Sequence, residues 1–115
     1  MKLIYCAIPS RMSKKATQIM DYVESKNNAA FNPFLAFPLE RFELGKVGIE
    51  ITMEYCKRAV EMCDELWIFG LSEGTMKEMS HAIKIKKPIK TIKEFDENWE
   101  SEKKNFKESS VFYML

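Results

Sequence analysis

The apolar positions of this chain come in short blocks separated by longer stretches with helical spacing. Residues 2–8, KLIYCAI, form a continuous apolar run that stops at Pro9, the pattern of a strand buried on both faces. Ala16, Ile19, Met20 and Val23 then recur at i, i+3, i+4 and i+7, which predicts an amphipathic helix capped by Ser10 or Ser13. Asn27-Asn28 ends it, and Ala29 to Asn32 reads as a short second strand stopped by Pro33. Residues 33–48 are aromatic-rich and broken by Pro33, Pro38, Gly45 and Gly48, so a covering loop with a short helix is expected there. From about Ile49 to Met62 the spacing predicts a long helix whose inner face is Cys56, Ala59, Val60 and Cys63. Asp64 to Gly70 is the third strand. Gly74 to Lys86 is the third main helix, with Met76, Met79 and Ile83 inward and Ser72 near its cap. Pro88 to Ile92 is a fourth strand, residues 94–108 an amphipathic helix, and Val111 to Met114 an edge strand.

Alternating strands and helices predict an α/β fold, a flavodoxin-like or Rossmann-like three-layer sandwich with a parallel sheet of about five strands. No linker or repeat interrupts it, so residues 1–115 read as one domain. The near-balance of 18 basic and 17 acidic residues leaves no global field to attract nucleic acid or an anionic membrane. The first apolar run is too short for a signal peptide, and no stretch approaches a membrane span. Three cysteines without a C-x-x-C pair, Cys6, Cys56 and Cys63, read as reduced thiols, so the expected location is cytoplasmic. With His81 the only histidine, no multi-histidine metal site can form within one chain, and neither metal nor organic cofactor is expected.

Ligands of open parallel sheets sit beyond the carboxyl ends of the strands. Here those ends are Ile8-Pro9-Ser10-Arg11, Asn32-Pro33 and Gly70-Leu71-Ser72-Glu73-Gly74-Thr75. The third leads into a helix N-terminus, with Glu78 one turn inside, where the helix dipole is expected to keep a carboxylate ionised. A positioned, ionised carboxylate suits attack on an anomeric carbon; a glutamate in a first helical turn is also common as a stabilising residue. Arg11, Lys14 and Lys15 form a basic cluster that is either a solvated face or a phosphate site. Phe31, Phe34, Phe37 and Phe42 are either satellite core or a stacking wall for a base. His81 and Trp67 read as packing residues, and Asp64 as the residue that leads its strand.

The segment CDELWIFGLSEGTMKEMSHAIKIKKPIKTI resembles the signature region of the nucleoside 2-deoxyribosyltransferase superfamily, including its 2'-deoxynucleoside 5'-monophosphate N-glycosidase relatives. The matching positions are Asp64, Leu71-Ser72-Glu73, Gly74-Thr75-Met76-Lys77-Glu78, Ala82 and Lys87-Pro88-Ile89; over the first strand, Tyr5 and Arg11 match as well. The resemblance covers roughly residues 2–92. It implies cleavage or transfer at the N-glycosidic bond of a nucleoside or its 5'-monophosphate. Glu78 would be the nucleophile and Tyr5 its hydrogen-bond partner. Ser72, Glu73, Gly74 and Thr75 would hold the sugar, and Ser10 and Arg11 a phosphate. It also implies a homodimer. Three positions depart from the pattern: Ser80 stands where glycine is frequent, Ile8-Pro9 replaces a glycine loop, and Glu54 is the nearest carboxylate to the family's mid-chain aspartate. The alternative on the same scaffold is a non-catalytic nucleotide-binding or sensing domain.

Overall fold

In the computed structural model, which describes residues 1–109 and 115, four strands form one parallel sheet. They are β1 (Leu3–Ala7), β2 (Ala29–Phe31), β3 (Glu65–Ile68) and β4 (Ile89–Thr91), in the order β2-β1-β3-β4. β1 is interior, pairing Tyr5 with Phe31 of β2 on one side and with Leu66 of β3 on the other. The parallel pairing and the interior place of the first strand are as the apolar runs predict. The sheet has four strands rather than about five, and the edge strand expected at Val111–Met114 lies outside the described residues. The arrangement is α/β and compatible with a Rossmann-like fold.

Strand alternation divides the core into two layers. Ile4, Cys6 and Ile8, with Trp67 and Phe69, face α1 (Ala16–Ser25), which contributes Ala16, Ile19 and Val23. Tyr5, Ala7, Leu66 and Ile68 face α3 (Ile49–Met62) and α4 (Glu73–Lys84), which contribute Cys56, Ala59, Val60, Met76, Met79 and Ala82. Each fully buried aliphatic side chain of this kind contributes roughly 1.5–3 kcal/mol of hydrophobic stabilisation. Helices therefore cover both faces of the sheet, and the connections from β1 to β2 and toward β3 run on opposite faces. The crevice of such a sheet opens at the carboxyl ends of the strands that flank this reversal.

Local chemistry sets the element ends. Ser72 caps α4 through a reciprocal pair: Thr75 N donates to Ser72 Oγ at 3.1 Å, and Ser72 N donates to Thr75 Oγ1 at 2.9 Å. Neither Ser10 nor Ser13 caps α1. A 3-10 segment, Ser10–Lys15, leads into that helix, and neither has a side-chain cap; the Ser10 hydroxyl donates instead to Glu43 at 3.1 Å. The short helix expected after Pro33 is α2 (Pro33–Ala36), capped by Asn32, whose Oδ1 accepts from Phe34 N. The helix expected over residues 94–108 is much shorter, α5 (Trp99–Lys103) with a 3-10 turn at Lys104–Phe106. Asp96 delays it, because its Oδ1 accepts from Asn98 N at 3.0 Å and holds the chain in a turn. Gly70 marks a close approach: a Cβ there would lie 2.5 Å from Met12 Sδ and 2.8 Å from the Pro9 ring, so the exit of β3 presses on the exit of β1.

Candidate active site

A cavity of about 560 Å³ opens at the carboxyl ends of β1, β2 and β3. Its walls come from the β1 exit (Ile8 to Arg11), α2 and the covering loop (Pro33, Phe34, Phe37, Leu39, Glu43), the start of α3 with Cys56, and the start of α4 through Glu78. All three strand ends that the sequence marks as ligand-facing meet there. No helix among the described residues is long and apolar enough to cross a membrane.

Glu78 is buried, at 5% exposure, yet lines the cavity. The Tyr5 hydroxyl donates to its Oε2. Tyr5 is itself fully buried, stacks on Phe31 with ring centroids 5.6 Å apart, and does not line the cavity. Phe31 and the sheet thus fix the phenol, and the phenol fixes one carboxylate oxygen. Glu78 is the sixth residue of α4, in the second turn rather than the first. The dipole there is too weak to keep it ionised as the sequence suggests, since that effect fades within the first turn. Burial prevails and pushes the Glu78 carboxyl up to about 7, while hydrogen bonds from Tyr5 and the Cys56 thiol pull it down and the nearby Glu43 carboxylate pushes it further up. The Tyr5 phenol is raised well above its ordinary value by burial and by the Glu78 charge, so it remains a donor. Burial likewise raises the Cys56 thiol to about 12, with Glu78 adding to the effect. Cys56 is a neutral wall residue rather than a thiolate.

The other expected residues divide sharply. Ser10, Arg11, Ser72, Glu73, Gly74 and Thr75 all line the cavity. The side chains of Ser72 and Thr75 are engaged in the α4 cap, Thr75 Oγ1 also donating to Gly70 O at 2.8 Å. Arg11 is not an open phosphate ligand. Its two terminal nitrogens donate to Asp96 Oδ1 and Oδ2, each at 3.0 Å, and one of them also to Leu71 O at 2.7 Å. Glu54 is not in the cavity. Its side chain is 64% exposed on the outer face of α3, 3.5 Å from Lys57, because the inner face of that helix is set by Cys56, Ala59 and Val60. Of the four phenylalanines, Phe34 and Phe37 line the cavity, while Phe31 and Phe42 pack behind them. His81 is half-buried on the side of α4 that meets α3, Nε2 3.5 Å from Glu61. Asp64 leads β3, accepting from Leu3 N at 2.7 Å.

Three residues at this site carry no mark in the sequence. Glu43, in the covering loop, lines the cavity, as Glu54 does not, and accepts the Ser10 hydroxyl. Glu50 lines the same wall from the first turn of α3. Asp96 holds Arg11 from a segment 85 residues away. Among the described residues, no group of three His, Cys, Asp or Glu side chains is arranged to hold a metal ion. Comparison with protein-family models, with curated proteins and with solved structures finds no match to this chain.

Proposed function

We propose that the chain cleaves or transfers at the N-glycosidic bond of a nucleoside-type substrate, with Glu78 as nucleophile. The observation that carries this reading is the buried Glu78 carboxylate, held through one oxygen by Tyr5 and facing a cavity large enough for a nucleoside. Burial is costly for a charged carboxylate and contributes nothing to packing that a neutral side chain would not. A site that tolerates this cost while keeping a donor on one oxygen is suited to chemistry at the other.

In the first half-reaction, Glu78 attacks C1'. A C1'–O bond forms, the C1'–N bond breaks, and its electron pair leaves with the base, which takes up a proton relayed from solvent through the Glu43 carboxylate. In the second, water or another base attacks C1', surrenders a proton through Glu43 to solvent and releases the Glu78 carboxylate. Tyr5 is a positioning residue, because it touches Glu78 and not the cavity. Phe34 and Phe37 offer faces for a base. Glu73 and Gly74 lie where the sugar would pass. The flavodoxin-like classification, a homodimeric assembly and a cytoplasmic location accompany this reading.

The test is incubation with a panel of ribonucleosides, deoxynucleosides and their 5'-monophosphates, with detection of free base. Base release that disappears in Glu78→Gln is the expected result. Saturable binding with no release from any substrate would instead assign the chain to the ligand-sensing alternative.

A further inference from the structure

The charges in the cavity wall are lopsided. Four carboxylates, Glu43, Glu50, Glu73 and Glu78, face two cations, Arg11 and Lys77. Both cations are already paired. Lys77 Nζ lies 3.2 Å from Glu73. Arg11 grips Asp96 with both terminal nitrogens in a fork, and a third contact ties it to Leu71 O. Asp96 is no casual partner. Its side chain is 1% exposed, and it also accepts from Leu71 N at 3.3 Å and Asn98 N at 3.0 Å. Taking Arg11 from it would leave a buried carboxylate without its counter-charge, a strongly unfavourable exchange. The first turn of α4, where backbone N–H groups favour an anion, already carries the Glu73 carboxylate. The Ser10 hydroxyl, a further donor at the β1 exit, is given to Glu43. The wall is thus rich in acceptors and poor in free donors. Sugar hydroxyls, which donate, complement it, whereas a phosphate dianion, which only accepts, does not.

Resting on the glycosidic reading above, we infer that the site selects unphosphorylated nucleosides over their 5'-monophosphates, and that Asp96 sets this selectivity by sequestering the Arg11 guanidinium.

The test compares kcat/KM for base release from deoxynucleosides and from the matching 5'-monophosphates. The wild type is expected to favour the nucleoside by about tenfold or more, the scale of uncompensated like-charge contact. Asp96→Asn, which keeps the shape and removes the charge, is expected to raise monophosphate use and narrow that ratio. Arg11→Ala is expected to cause no selective loss on the monophosphate, and the wild-type ratio with its salt dependence carries the test where neither variant folds. Added salt should raise wild-type activity on the monophosphate relative to the nucleoside, because it screens the repulsion. A wild type that prefers monophosphates, or an Arg11→Ala variant that loses monophosphate activity selectively, overturns the inference and leaves the glycosidic reading standing. Release of base from neither substrate class overturns both.

Discussion

Tyr5 and Glu78 stand 73 residues apart in the chain and are joined by one buried hydrogen bond, phenol to carboxylate, across the face of the sheet that meets α3 and α4. The bond works against the burial that raises the Glu78 carboxyl to about 7. Its effect is both geometric and electrostatic: it aims one oxygen and keeps the charged form within reach of neutral pH.

Removing that donor should be visible in a pH profile. Glu78 must be ionised to attack, so kcat/KM is expected to rise with pH through a midpoint of about 7. In Tyr5→Phe the carboxyl loses a bond that favours its charged form. The rising limb should therefore move to higher pH, with part of the lost activity recovered in alkaline buffer. A Tyr5→Phe limb that stays in place would show that the phenol does not tune Glu78.

Glu43→Gln should produce the opposite displacement, because Glu43 pushes the Glu78 carboxyl upward. The limb is expected to fall below that of the wild type. If Glu43 also delivers the proton to the departing base, the variant should lose about a hundredfold or more on ordinary nucleosides. It should lose far less on a deoxyriboside with a leaving group that departs without protonation. Equal losses on both would remove Glu43 from the proton path.

Glu78→Gln should be inactive and yet more stable at alkaline pH. The folded carboxyl titrates near 7 against an ordinary value of 4.5, so the wild type's stability contribution from this group is complete below about 4.5 and lost as pH rises through about 7. At about 1.4 kcal/mol per tenfold change in proton affinity, the amide should be favoured by roughly 3 kcal/mol above pH 7. Thermal melts at pH 5 and pH 8 are the measurement. The Tm gap between variant and wild type should widen at the higher pH.

Leu35, Leu44, Ile49 and Ile51 are large apolar side chains, each more than half exposed, and Ile49 lines the cavity. If a second copy of the chain covers these side chains, sedimentation at micromolar concentration should show a dimer, and Leu44→Glu should shift it toward monomer. A monomeric wild type would remove the dimer from the proposal.

The sheet was legible in the sequence because LIYCA and the Leu66-Trp67-Ile68 of ELWI are short continuous apolar runs bounded by turn signals, the pattern of a strand buried on both faces. The α4 cap was legible from Ser72 and its neighbours, because capping chemistry is local. What escaped was non-local. Nothing within a few residues of Arg11 points to Asp96, and the ion pair forms only once the β1 exit and the chain after β4 meet at one edge. Glu43 lies in a loop without periodicity, so no pattern marks which way it faces. Glu54, by contrast, is the nearest carboxylate to the mid-chain aspartate that the resemblance calls for, but Cys56, Ala59 and Val60 decide the rotation of α3 and turn Glu54 outward. The ionisation state of Glu78 was misjudged for a similar reason: the depth of burial, which outweighs the dipole, is a property of the folded core and not of the helix.

Gly70 holds the two halves of the cavity rim at their present distance by having no side chain. Met12 could swing aside from a methyl group there, but the Pro9 ring is rigid and could not. Any larger residue would have to force apart the loop that carries Ser10 and the loop that carries Ser72, so residue 70 is a spacer of zero width between two walls of the cavity.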